Sequence, residues 1–170
     1  TVTYKDANSN LEVSGRDGAA STIIPLSFEY GISDKIGLGL QVGMSNYFID
    51  KEDTNDVTES VKSVDFALRF NFHLLNADRN DLFVSLALGG SSVTWLFENS
   101  SETYTGSGSL FSLSLTDRIF FSDNVGMLLN LGYTGYNYTN MKSSTDNPIL
   151  DNLKWSVKGV NFGIGLAVKF

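Results

Sequence analysis

The sequence predicts an all-β protein, an eight-stranded antiparallel transmembrane β-barrel of the outer-membrane type, in a single domain over residues 1–170. Three observations predict this fold. Apolar residues alternate with small or polar residues over long stretches, short connections alternate with long ones, and aromatic residues collect near both ends of the expected strands. Together they favour a wall with lipid on one side and a narrow lumen on the other.

The last twelve residues, 159–170, show the alternation most clearly. One face carries only apolar residues, namely Val160, Phe162, Ile164, Leu166, Val168 and Phe170. The other face carries mostly small residues, namely Gly159, Asn161, Gly163, Gly165, Ala167 and Lys169. A period of two predicts a β-strand. Small residues are a poor covering for a surface in water, so this face is expected to line a crowded lumen while lipid covers the other.

The N-terminal third predicts three strands. Residues 1–5 look like the stub of a first strand, and the polar stretch 6–21 is predicted to be a loop. Apolar residues then alternate over 24–32 and again over 36–44, which predicts a second and a third strand joined by a tight turn at 33–35.

The remainder of the chain predicts five more strands. They cover the alternating stretches 64–72, 82–97, 111–119, 125–133 and 153–170. In the fifth strand the apolar phase slips at 89–92, which predicts a β-bulge. A Ser/Gly/Glu-rich loop is expected to end near Gly108. One residue of the pair Asp117-Arg118 must face outward in any register, near a short turn where Arg can extend its charge to water.

The connections and the aromatic residues give the predicted barrel a direction. Connections at 33–35, 76–81 and 122–124 are short, whereas the others span ten residues or more, as periplasmic turns and extracellular loops do in outer-membrane barrels. Aromatic side chains prefer the two membrane–water boundaries. The predicted girdles contain Tyr30 and Phe72 at the short-turn end, and Tyr47, Trp95, Tyr136 and Trp155 at the long-loop end.

Composition excludes several classes of protein. The chain has no cysteine, so it has neither disulfides nor a thiolate site. No apolar run reaches the ~18–20 residues of a transmembrane helix. A net charge of −7 and a pI near 4.5 argue against binding to nucleic acid.

Polar residues on the inward faces are candidates for a lumen network. They are Glu29, Gln41, Asp65, Arg69, Asn71 and Asn130. Side chains just fill the interior of an eight-stranded barrel, so hydrogen bonds and salt bridges that plug the lumen are the favoured interpretation. A selective path for small solutes is the alternative.

No catalytic, cofactor or metal site is predicted. The only histidine, His73, lies beside a short turn, at the wrong end for an outer-membrane lipase, so a structural role is expected. The loop 50–59 holds five carboxylates and one lysine. It departs from an EF-hand, because Asn55 and Val61 stand where Gly and Glu are needed. A solvated, self-repelling loop is favoured over a calcium site, with weak divalent-ion bridging to lipopolysaccharide as a further possibility.

Three segments carry a resemblance to a known group of proteins. They are Phe-Glu-Tyr-Gly-Ile-Ser-Asp-Lys-Ile at 28–36, Phe-Ser-Asp-Asn-Val-Gly at 121–126, and the last strand with its terminal Phe170. They resemble small outer-membrane β-barrel proteins of the porin-like, OmpX/OmpW type found in Bacteroidota, over nearly all of the chain after residue 22. Such proteins would have a Gly-rich first strand where only residues 1–5 stand, so the start is either missing or unusual.

The resemblance implies a location and partners. The protein is expected in the outer membrane of a Gram-negative cell, in contact with its lipid and lipopolysaccharide. Insertion by the barrel-assembly machinery is implied, with Phe170 as the assembly signal that this machinery recognises. The expected role is non-enzymatic, as a structural envelope component or a docking partner in a larger outer-membrane complex. The alternatives are a narrow channel for small solutes and a soluble, lipocalin-like binding barrel.

Overall fold

The computed structural model describes residues 2–5, 12–15, 18–48, 58–97, 103–144 and 153–170. These residues form nine β-strands: β1 (Val2–Lys5), β2 (Glu12–Gly15), β3 (Ala20–Ser33), β4 (Ile36–Phe48), β5 (Thr58–Asn76), β6 (Asn80–Phe97), β7 (Thr103–Phe120), β8 (Val125–Ser143) and β9 (Leu153–Val168). Within these ranges no helix is long and apolar enough to cross a membrane.

All nine strands belong to one antiparallel sheet, in the order β2-β1-β9-β8-β7-β6-β5-β4-β3. The predicted all-β antiparallel fold is confirmed. Seven strands of 13 to 19 residues make up most of the sheet, and β1 and β2 are four residues each. The predicted stub at 1–5 is indeed a strand, and it pairs with β9. The prediction of a loop over 6–21 is wrong in part, because it includes β2 and the start of β3.

The pairing of β6 contradicts the predicted bulge at 89–92. Residues from Leu88 to Val93 pair one for one with β5 and β7, without a shift in register. The alternation changes phase because apolar residues occupy the outward face in the first half of β6 and the inward face in its second half. Leu86 and Leu88 face outward, whereas farther along it is Val93 and Trp95 that are buried inside.

The predicted loop ending near Gly108 is also wrong, since β7 already begins at Thr103. Small residues are needed in this part of the strand. A Cβ atom on Gly108 would lie 2.8 Å from Cδ1 of Tyr138, and one on Gly106 would lie 2.7 Å from Cγ of Met141. The three predicted short turns are confirmed, at 34–35, 77–79 and 121–124.

The sheet is strongly curled, which places the core on its concave side. Inward side chains of β3 reach those of β7 across the interior, where Arg118 forms an ion pair with Glu29. Near the other end, the ring of Tyr47 on β4 lies 5.1 Å from that of Trp155 on β9. Contacts between strands so far apart in the sheet require a curvature compatible with a small β-barrel.

Candidate functional site

Among the described residues, the concave interior holds several clusters of polar and charged side chains, and its short-turn end contains a closed ring of four ionisable residues. Glu29, His73, Asp81 and Arg118 come from β3, β5, β6 and β7, and we call them the charged ring. Strand alternation points all four inward at the short-turn end of the sheet.

Each carboxylate in the charged ring contacts both basic side chains. Asp81 accepts from His73 Nδ1 at 2.5 Å and from Arg118 at 3.0 Å. Glu29 lies 2.9 Å from His73 Nε2 and forms its second ion pair with Arg118. Side-chain exposure is only 8% for His73 and Asp81. The ring of Phe83 packs against this group, with the guanidinium carbon of Arg118 4.2 Å from its centre. Pairing of this kind makes the burial of ionisable side chains tolerable.

A second polar group lies beside the charged ring. Arg69 donates to Ser85 through Nε at 3.1 Å and Nη2 at 2.7 Å, and to Ser27 at 2.8 Å. Ser85 in turn donates to Asn71. Arg69 therefore fastens the outermost long strand, β3, to β6 across the interior.

Farther up the interior, Asp65 on β5 is buried and surrounded by hydroxyl groups. It accepts hydrogen bonds from Ser91 at 2.5 Å, Tyr136 at 3.0 Å, Ser63 at 3.1 Å and Ser45 at 3.3 Å. We call these four donors the hydroxyl shell. They come from β4, β5, β6 and β8, so one carboxylate ties four strands together. Hydrogen bonds to a charged acceptor are the stronger class of such bonds.

Above Asp65 the interior is apolar and aromatic. This aromatic cluster consists of Tyr47, Val61, Val93, Trp95, Tyr104, Tyr136, Tyr138, Met141 and Trp155. The ring of Trp155 stacks on that of Tyr138 at 5.3 Å, and the Tyr47 hydroxyl lies 3.4 Å from that of Tyr138. Each of these side chains is less than a tenth exposed. In the part of the chain that the structure describes, buried side chains therefore pack the interior at the long-loop end.

The aromatic cluster corrects the prediction of an outer girdle at the long-loop end. Tyr47, Trp95, Tyr136 and Trp155 were expected on the outer surface, but all four side chains are buried inside. The predicted girdle positions at the other end do lie outside, with Tyr30 70% and Phe72 42% exposed.

The remaining predicted residues lie partly inside and partly outside the sheet. Gln41 is half-buried on the inward face of β4, and Asn130 donates to the Thr116 hydroxyl at 2.8 Å. Of the pair Asp117-Arg118, the arginine is inside and the aspartate faces outward, where it accepts from the side-chain amide of Asn80 at 2.9 Å. Phe170 is fully exposed beyond β9.

The interior side chains form hydrogen bonds and ion pairs mainly with one another. In the part of the chain that is described, every buried side-chain nitrogen and oxygen has a hydrogen-bond partner, and no group of three or more potential ligands could hold a metal ion. Both ring nitrogens of His73 contact carboxylates, those of Asp81 and Glu29. The acidic loop 50–59 lies almost entirely outside the described residues.

Comparison with known proteins adds no assignment: the chain matches no protein-family model, no curated protein and no solved structure.

Sequence reasoning predicted four residues of the interior polar groups and missed others. Glu29, Asp65, Arg69 and Asn71 do lie inside and have interior partners. Asp81 and Arg118 were missed because each lies near the end of its strand, beside a short turn. Strand parity could have found them: Asp81 is two residues before the buried Phe83, and Arg118 is two residues after the buried Thr116.

Proposed function

We propose that the protein is a non-enzymatic integral outer-membrane β-barrel whose role is structural, either in the envelope itself or as a docking component of a larger outer-membrane complex. One observation carries the proposal. The convex face of the sheet is apolar and exposed, while the charged ring and Asp65 lie within. This distribution is the inverse of that in a protein dissolved in water and is the pattern of transmembrane barrels.

The outward residues of β3 and β9 illustrate the apolar face. Those of β3 are Ile24, Leu26, Phe28, Tyr30 and Ile32, and those of β9 are Val160, Phe162, Ile164, Leu166 and Val168. Every one of them is more than half exposed. Large contiguous apolar surfaces are rare on soluble monomers and mark sites of contact with lipid or protein.

The height of the apolar face matches the thickness of a membrane. On β5 the outward positions are apolar from Val64 to Leu74, with Lys62 above them. Ten steps of ~3.4 Å along a strand tilted by ~40° project to about 26 Å. The lipid-facing band of outer-membrane barrels is ≈ 25 Å tall.

The filled interior favours a structural role over a channel. The aromatic cluster occupies one end and the charged ring the other, with the hydroxyl shell of Asp65 between them. A solute would have to displace side chains at each of these levels. The charged ring also weighs against a lipocalin-like binder, whose interior would be expected to be apolar.

Cell fractionation and electrophoresis test the membrane proposal. We expect the protein in the outer-membrane fraction, extractable only with detergent and migrating faster on gels before boiling than after it, as a folded barrel does. Recovery of folded monomer from the aqueous fraction without detergent would contradict the proposal and favour the soluble binder.

Planar-bilayer recordings test the structural role. The purified barrel is expected to give no single-channel conductance, because its interior is filled. Steady conductance from the wild-type protein would instead support the channel. Recovery of wild-type protein in a stable complex with other outer-membrane proteins, after mild detergent extraction, would support docking.

A further inference from the structure

A carboxylate interrupts the apolar outer face of the sheet at Asp117. Strand alternation turns this side chain outward, while its neighbour Arg118 points into the interior and pairs there with Glu29 and Asp81. Asp117 is partly buried and accepts one hydrogen bond, at 2.9 Å, from the side-chain amide of Asn80. Among the described residues it forms no ion pair. The outer face therefore presents a carboxylate without a cationic partner.

Asp117 lines an open pocket of ≈ 270 Å³ on the convex side of the sheet, which we call the outer pocket. Its other walls come from β6 to β9 and are mainly apolar, and they consist of Leu82, Leu115, Leu129, Asn130, Leu131 and Phe162. The side-chain amide of Asn130 already donates to the Thr116 hydroxyl. Among the residues that line the outer pocket, only Asp117 is acidic or basic.

Strand register gives the outer pocket a polar end and an apolar end. Asp117 belongs to the row of paired residues nearer the short turns. The next outward row, toward the long-loop end, consists of Leu115, Leu131 and Phe162. Asp117 is also only three residues before Phe120, where β7 ends. The carboxylate thus lies near the short-turn edge of the apolar face, and apolar side chains extend from it toward the middle of that face.

We infer that the outer pocket binds a membrane lipid with a primary-ammonium headgroup, such as phosphatidylethanolamine. The ammonium contacts Asp117, and an acyl chain lies along Leu115, Leu131 and Phe162. This inference rests on the proposed function, which places the short turns at one surface of the membrane. A lipid in that leaflet has its headgroup near the short turns and its chains directed toward the membrane centre, which is the orientation of the outer pocket.

The chemistry of the headgroup complements the carboxylate. An ammonium group has three N–H donors, and hydrogen bonds between ionised partners are the stronger class. Ionisable residues within a membrane are costly unless they are paired, and they mark functional sites. A choline headgroup carries the same positive charge but has no N–H donor, so the outer pocket should distinguish the two lipids. A lysine of a partner protein would offer the same donors, but the apolar continuation toward the membrane centre favours a lipid.

Native mass spectrometry of the detergent-extracted protein tests the inference, because it counts the lipid molecules that each barrel retains. Phosphatidylethanolamine and phosphatidylcholine with identical acyl chains are added in equal amounts. We expect the wild-type protein to retain one phosphatidylethanolamine about tenfold more tightly than phosphatidylcholine, because hydrogen bonds to charged groups are strong enough to give this ratio. Asp117→Asn has nearly the same shape without the charge and should lose most of this preference.

The matched control is Asp123→Asn, which removes the same charge at the same end of the sheet. Asp123 is exposed in the short turn after β7 and does not line the outer pocket, so this variant should keep the wild-type preference. A second variant, Leu131→Trp, fills the apolar end and should lower the retention of both lipids. It covers the case in which Asp117→Asn fails to fold, and undiminished retention by Leu131→Trp would overturn the inference.

The remaining outcomes separate this inference from the proposed function. Equal retention of the two lipids by the wild-type protein, or an unchanged preference in folded Asp117→Asn, would overturn the lipid site and leave the membrane location intact. Folded monomer in the aqueous fraction without detergent would overturn both. Loss of a co-purifying protein from Asp117→Asn, with no lipid preference in the wild type, would assign the carboxylate to a protein partner and would also overturn the lipid site.

Discussion

Replacing Leu68 with arginine tests whether the exposed face of the sheet lies against lipid. Leu68 is at the middle of the outward apolar positions of β5, and its side chain is 62% exposed. An arginine at the midplane of a transmembrane barrel costs ~2–4 kcal/mol. In a soluble barrel the same change at an exposed site would alter stability by about 0.5 kcal/mol or less.

A second leucine on the same strand, at a different expected depth in the membrane, provides a matched control. Leu75 is also exposed, seven residues nearer the short-turn end. That separation is ~24 Å along the strand and ~18 Å in depth at a tilt of ~40°, beyond the lower boundary of a ~25 Å apolar band centred near Leu68. Leu75→Arg is therefore expected to cost only ~0–1 kcal/mol, as charged substitutions do near the membrane interface.

Each variant is inserted in phospholipid vesicles and unfolded with denaturant. Tryptophan fluorescence monitors the unfolding and gives its free energy. Trp95 and Trp155 both lie in the aromatic cluster and should report its loss. We expect Leu68→Arg to be less stable than Leu75→Arg by about 2 kcal/mol or more. Equal stability of the two variants, or greater stability of Leu68→Arg, would refute the placement of this face in lipid.

Three further predictions concern the interior and use the same unfolding assay. Arg118→Met should destabilise the protein by about 3 kcal/mol, because it leaves two buried carboxylates of the charged ring without their cation; a loss below 1 kcal/mol would mean that the ring is not a structural lock. Tyr136→Phe should lower the free energy of unfolding by ~1.5–3 kcal/mol, because it removes one donor of the hydroxyl shell. The control Tyr133→Phe changes an outward-facing side chain and should be nearly neutral. Equal effects of the two substitutions would contradict the hydroxyl shell. Gly89→Ala should destabilise the protein, because the added Cβ would lie 2.6 Å from a backbone Cα of β5. Gly90→Ala should be tolerated, because the nearest atom to its Cβ would be 3.6 Å away. The reverse order of stability would refute the register of β6.

The alternation of residue types was sufficient to predict most of the sheet. Strands β3, β4, β5 and β8 contain the predicted stretches, and β9 covers the predicted 153–170 except for its last two residues. Each of these strands has apolar residues at alternate positions, which form its outward face. The turns between them were predictable from Asp, Asn, Ser and Lys at the points where alternation stops. Local pattern therefore fixes which residues form strands and, over the apolar band, which way they face.

The local sequence pattern could not predict which interior side chains pair with one another. Arg118 lies 89 positions from Glu29 in the sequence, and Tyr136 lies 71 positions from Asp65. Their contacts depend on how tightly the sheet curls and on how neighbouring strands are staggered. Both properties belong to the whole sheet, so a single strand read alone shows only that these residues face inward.

The errors at the long-loop end have one physical cause under the proposed placement. Strands β5 to β8 have 18 or 19 residues, whereas the outward apolar positions of β5 span only the eleven residues 64–74. Under that placement the upper ends of these strands extend beyond the membrane into water. There the outward Ser92 of β6 is polar, and the side chains of Val93 and Trp95 turn inward. The assumption that alternating apolar residues face outward is correct for β5 within the band, and it is wrong above the band for Tyr47, Trp95, Tyr136 and Trp155. The aromatic cluster is then the core of the part in water, and the apparent slip of phase in β6 marks the boundary between the two solvents.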